Sequence, residues 1–176
     1  NNLSSHFILI DNIDASNTSG WSNGFDPIGD GSTGFSGSFD GQGYVIFDLY
    51  TNAQKDYIGL FGYIESGGTV KNVGLERVDV DVDDWWEDIG ALAGRVEGDI
   101  SNCYTTGSVT STYDYGYQDL GGLVGWLTST GEISNSYSTC SVNGKNAAGG
   151  FVSTSYGTVS NSYSKGDVTG GSGNGT

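Results

Sequence analysis

The chain has 176 residues, of which 31 are Gly, two Cys, one Pro and none Met, and 21 acidic residues against 6 Lys plus Arg give a formal charge of −15. That length can bury one sizeable core, and the wealth of Gly, Ser, Thr, Val and Tyr points to many short strands joined by tight turns. So acidic a chain repels phosphate backbones and anionic bilayers, and no apolar run approaches the roughly 18 residues of a spanning helix, which leaves nucleic acid and membrane insertion outside the expected partners.

In chain order, His6-Phe7-Ile8-Leu9-Ile10 reads as a strand and Trp21 to Gly34 as a loop. Phe35 to Ile46 alternates around Asp40-Gly41, which is the signal of a β-hairpin. Residues 1–56 are expected to form the opening coil or coils of a solenoid whose repeats follow. His6 is the only histidine, and with no nucleophile and orienting acid beside it, it reads as a strand or surface residue.

From residue 57 to 168 four copies of one pattern line up. Each opens on a Gly-apolar segment: Ile58-Gly59-Leu60-Phe61-Gly62, Gly90-Ala91-Leu92-Ala93-Gly94, Gly121-Gly122-Leu123-Val124-Gly125 and Gly149-Gly150-Phe151-Val152-Ser153. Each continues into a β-branched residue, a polar one and Asn, at Val70-Lys71-Asn72, Ile100-Ser101-Asn102, Ile133-Ser134-Asn135 and Val159-Ser160-Asn161. The Asn positions lie 30, 33 and 26 residues apart, a variation that β-coils absorb as bulges at their corners and that paired helices do not. The expected fold is all-β: a single right-handed parallel β-helix of about five or six coils, with 169–176 as a Gly-rich tail or truncated next coil.

Strand parity assigns the interior. Cys103, Thr105, Gly107 and Val109 point inward, as do Ser136, Ser138, Cys140 and Val142, while Tyr104, Tyr137 and Tyr163 point outward and stack one per coil. In the first copy, Val73 and Leu75 keep this parity, but Val78, Val80 and Val82 need a one-residue bulge near Glu76 or Arg77. Cys140 then matches Gly107, roughly 13 Å along the strand from the Cys103 position at about 3.3 Å per residue. A disulfide spans at most about 7 Å between Cα atoms, so two buried free thiols are expected.

These residues resemble the GLUG repeat family. Gly121-Gly122-Leu123-Val124-Gly125 with Ile133-Ser134-Asn135-Ser136-Tyr137-Ser138-Thr139 is similar to its signature, and Phe39-Asp40-Gly41-Gln42-Gly43-Tyr44-Val45-Ile46 to its usual leader. Two departures are Cys140 where Gly is usual and Ser153 in place of the closing Gly. The resemblance implies a segment of a large secreted or surface protein of a bacterium or archaeon, as in adhesin-like proteins and the non-catalytic parts of immunoglobulin A peptidases. The repeat itself carries no active residue, so the implied role is structural or adhesive, without a cofactor.

A polysaccharide-acting β-helix enzyme of glycosidase type, or its carbohydrate-binding module, is the alternative, with an acid pair between Asp79 and Asp88. In Asp79-Val80-Asp81-Val82-Asp83 the acids alternate with valines as on a half-buried strand with a solvated face, and calcium at Asp79 to Asp88 is the other reading. Insertions before each Gly-apolar segment place Tyr57, then Trp85, Trp86 and Asp88, then Tyr113, Tyr115, Tyr117 and Asp119 side by side at one corner. Such a cluster of rings and acids suits a glycan or a surface protein, and exposed coil ends suit end-to-end self-association.

Overall fold

The structure is a computed structural model that describes residues 2–83, 85, 88–114 and 116–170. Strands too short to bury a core alone stack in parallel into a β-solenoid of about five turns, each turn laying backbone on four faces. On the first face lie His6–Ile8, Ser38–Asp40, Thr69–Lys71, Asp99–Ser101, Glu132–Ser134 and Thr158–Ser160. The second face carries Ile13–Asp14, Val45–Phe47, the long strands Gly74–Val82 and Tyr104–Ser111, and then Tyr137–Ser138 and Tyr163–Ser164. Tyr57–Ile58, Asp88–Gly90, Asp119–Gly121 and Ala147–Gly149 form the third face, and Phe61–Ile64, Ala93–Val96, Val124–Leu127 and Val152–Ser155 the fourth. One short 3₁₀ turn, Ser16–Gly20, is the helical element among the described residues.

The core is a set of columns, one residue per turn. Phe39, Val70, Ile100 and Ile133 stack on the first face, and Val80, Val109 and Val142 on the second. Ile58, Ile89 and Leu120 stack on the third face, and Ile64, Val96 and Leu127 on the fourth, all buried. Among the described residues the first-face column runs on to Phe7 at one end and Val159 at the other, both exposed. Parallel stacking repeats about every 4.8 Å, so every interior side chain meets its counterpart above and below.

Inward parity holds in the covered turns: Cys103, Thr105, Val109, Ser136, Ser138, Cys140 and Val142 are buried. Outward, the Tyr104 and Tyr137 rings lie 5.1 Å apart at 6°, and those of Tyr137 and Tyr163 5.2 Å apart at 5°. The bulge sits where the valine parity requires it. Leu75 faces Thr105 and Val78 faces Gly107, so Glu76 and Arg77 together oppose Thr106. Arg77 takes φ 53°, donates its backbone N–H to Thr106 Oγ1 at 3.0 Å, and grips Asp48 with Nε and Nη2 at 2.7 and 2.8 Å. Both cysteines are free and buried.

The expected hairpin at 35–46 is corrected. Ser38–Asp40 pairs with His6–Ile8 and Thr69–Lys71, whereas Val45–Phe47 pairs with Ile13–Asp14 and Gly74–Val82 on the next face. Asp40-Gly41-Gln42-Gly43 turns a corner between faces: Gln42 and Gly43 take φ 54° and 84°, and the Asp40 carboxylate accepts the Gln42 N–H at 2.9 Å. Local turn chemistry supplies positive φ for a reversal and for a corner alike, so the Asp-Gly signal does not choose between them.

Candidate binding walls of the solenoid

The third and fourth faces meet at a tight corner that folds outer side chains toward one another. Their backbones approach so closely that a Cβ on Gly94 would sit 2.5 Å from Asp88 O and 2.6 Å from Ile58 N, and one on Gly125 2.5 Å from Ile89 N. Beyond this corner, Asp88 of the third face meets Arg95 of the fourth, with 3.6 Å between Oδ2 and Nη1. One turn on, the Asp119 carboxylate accepts hydrogen bonds from the hydroxyls of Ser153, at 2.9 Å, and Thr154.

The inserted loops lead into strands that stack, with Tyr57, Asp88, Asp119 and Ala147 in one register. Their side chains divide into two sets. Trp85 is 60 % exposed and Tyr117 94 % exposed in successive loops. Tyr57, Asp88 and Asp119 instead belong to the inner corner: Asp88 is 2 % exposed, and Tyr57 and Asp119 are half-buried. Tyr113 is half-buried at the base of its loop, its N–H reaching Ser111 Oγ at 3.3 Å. Trp86 and Tyr115 lie outside the described residues.

The fourth face carries a second group of rings. Tyr63, Arg95, Trp126 and Thr154 occupy one outward register position in successive turns. The Arg95 guanidinium lies 5.6 Å from the Tyr57 ring centre and 5.5 Å from that of Trp126, and Trp126 stands 5.6 Å from Tyr156 at 34°. Burial and the nearby Glu97 carboxylate push the Tyr63 hydroxyl up to about 12, which keeps it protonated.

The acidic strand has a different character. Asp79, Asp81 and Asp83 project outward between buried Val80 and Val82, and Asp79 accepts the Ser108 hydroxyl at 3.0 Å. Among the described residues, no group of three or more potential ligands is placed to hold a metal ion.

A family model described as "The GLUG motif" matches residues 87–110 and 116–143. The chain carries GLUG repeats. It is 38 % identical over 135 residues, 71 % of its length, to halomucin of Haloquadratum walsbyi. It is 36 % identical over 99 residues, 55 % of its length, to a putative Gly-rich membrane protein of Evansella cellulosilytica. The matched stretches are 1 % and 12 % of those two proteins. No solved structure matches.

The corner explains the glycines of the GLUG signature. Its closing Gly is the position whose Cβ would strike the third face, and where the fourth GLUG copy has Ser153, the hydroxyl is used to hold Asp119. The signature Asn is explained as well: Asn72, Asn102, Asn135 and Asn161 all take φ between 48° and 55°. Sequence reasoning missed Tyr63, Arg95, Trp126 and Tyr156. The first three each follow the closing Gly of a GLUG copy, so aligning that one position across copies is the signal that finds them.

Proposed function

We propose that this GLUG solenoid is a structural and adhesive segment of a larger surface or secreted protein, contacting surface glycans or proteins through side chains on its outer wall. The observation that carries the reading is the pair Trp85 and Tyr117, exposed in the two inserted loops that lead into the paired strands at Asp88 and Asp119. Exposed large rings lose little conformational entropy on contact and offer flat apolar faces, and in soluble proteins such patches mark interaction surfaces. Kinship with a protein named as a membrane protein, and with much longer chains, supports a surface location. A charge of −15 supports solvation at high copy density.

The solenoid interior has the same logic. Inward side chains fill it turn by turn, so the segment acts as a rod and its chemistry lies on the outside. End-to-end self-association belongs to the reading too, because unpaired strand edges recruit further chains. Replacing Trp85 and Tyr117 together by Ala tests the adhesive corner. Binding to a glycan array and to surface-protein extracts should weaken while circular dichroism is unchanged; undiminished binding by a folded double variant removes the corner.

A further inference from the structure

We propose that the fourth face carries a second binding site, a shelf made by Trp126 and Tyr156 with Glu97 and Arg95, that takes a neutral pyranose sugar. It rests on the adhesive reading but on the fourth-face strands and the turns after them, not on the inserted loops that carry Trp85 and Tyr117. A depression of about 370 Å³ opens there, walled by these four side chains and by the Thr128 to Thr130 turn. That volume falls at the low end of the roughly 300–1,000 Å³ of small-molecule sites, which suits one or two sugar rings.

The shelf is built rather than incidental. Turn lengths alternate between the fourth and first faces, so the short turn after Val96 lies beside the longer one after Leu127, leaving a recess. Thr130 Oγ1 donates to Glu97 O at 3.2 Å and stands 3.2 Å from Thr128 Oγ1, which fixes the rim. Arg95, held between the Tyr57 and Trp126 rings and paired with Asp88, spends its charge locally and gives the Trp126 ring a fixed neighbour.

Sugar chemistry fits each part. The C–H face of a pyranose is apolar and stacks on an indole, while its hydroxyls donate to a carboxylate and exchange hydrogen bonds with threonine hydroxyls. Charge selects among sugars. Arg95 is already matched by Asp88, so Glu97 leaves the recess net acidic, and a uronic acid would meet repulsion in a chain of charge −15. Neutral hexoses bring hydroxyl donors and no charge.

The test titrates the full chain with the methyl pyranosides of glucose, galactose and mannose, and with glucuronic acid, followed by tryptophan fluorescence and saturation-transfer difference NMR. At least one neutral hexoside should bind saturably with millimolar affinity, and glucuronic acid about tenfold more weakly than glucose or not at all. Trp126→Ala should lower that affinity about tenfold and Glu97→Gln severalfold, with Trp126→Phe retaining part of it. Circular dichroism and thermal melting confirm folding; should Trp126→Ala melt early, Trp126→Phe and Glu97→Gln carry the test. The Trp85→Ala/Tyr117→Ala variant should bind the hexoside unchanged, so loss of corner adhesion and loss of shelf binding are separate results. No neutral hexoside binding, binding indifferent to Trp126 and Glu97, equal or tighter binding of glucuronic acid, or loss of hexoside binding in the corner variant would each overturn the shelf.

Discussion

Asn102 donates its side-chain amide to the side-chain oxygen of Asn72 at 3.2 Å, and both residues hold a left-handed backbone, at φ 52° and 55°. Asn72 in turn donates to Asp40 Oδ1 at 3.0 Å, so a polar ladder climbs the corner between the first and second faces. Asn is the side chain that tolerates this conformation best after Gly and also supplies both a donor and an acceptor to its counterpart in the next turn.

Two substitutions separate these contributions. Asn102→Gly keeps the backbone and loses the ladder, whereas Asn102→Ala loses both and should be the more destabilising by about 1–2 kcal/mol, the cost of placing a Cβ in the left-handed region. Urea unfolding of the two variants measures the difference, and equal midpoints would mean that the corner relaxes out of positive φ.

The closing glycine makes a sharper prediction. At Gly94 the nearest atoms to an added Cβ are all backbone, from Asp88, Ile58 and Gly62, so they can yield only if two faces separate. Gly94→Ala should cost about 1–3 kcal/mol or more, the range of overpacked interiors. Ser153→Gly, at the equivalent position, should cost only about 0.5–1.5 kcal/mol, because it removes one hydroxyl bond to Asp119. Thermal melting of the two variants tests that order.

Much of this fold is legible because period two and the repeat reinforce one another. Val78, Val80 and Val82 can all be buried only if the strand slips near Arg77, and the structure slips there. The reading of Phe35 to Ile46 as a hairpin failed for a nonlocal reason: Phe39 and Ile46 find partners about 30 residues away on different faces, and no local signal competes with that stacking. The candidate site was less legible. Asp88 and Asp119 sit in the inserted loops by sequence, yet the glycine corner turns them onto Arg95 and Thr154, a relation that depends on how closely two backbones approach.

The thiols give a solution test of the interior. Burial pushes the Cys103 thiol up to about 12 and raises that of Cys140, and the thiol of Cys103 lies 3.2 Å from Ser101 O. Thiolate is the reactive form, so neither should react with an aromatic disulfide reagent at neutral pH while the chain is folded. Denaturant should release two titratable thiols per chain. Rapid labelling of either one in the native state would mean that the turn containing it opens locally.

The acidic strand sets the response to pH. Burial and the neighbouring charges of Asp79 and Asp83 raise the Asp81 carboxyl above its ordinary value of 3.8. A carboxyl raised on folding binds its proton more tightly in the native state, so it weakens the fold at neutral pH. That penalty lifts as pH falls through its raised value and is gone below 3.8. Asp40 behaves in the opposite sense, because hydrogen bonds from Asn72 and Gln42 hold its carboxyl low. Its contribution is present above 3.8 and is lost as pH falls through its lowered value. Asp81→Asn should therefore be more stable than the parent at pH 7 by roughly a few tenths of a kcal/mol, the scale of exposed charge pairs. The gain should shrink toward zero below 3.8. It should shrink also with added salt, which screens the repulsion over a Debye length of about 10 Å at 0.1 M. Asp40→Ala should instead lose stability at pH 7 and converge on the parent in acid. Urea midpoints of the three proteins across pH and salt decide the matter: a gain for Asp81→Asn that ignored both variables would have to come from packing.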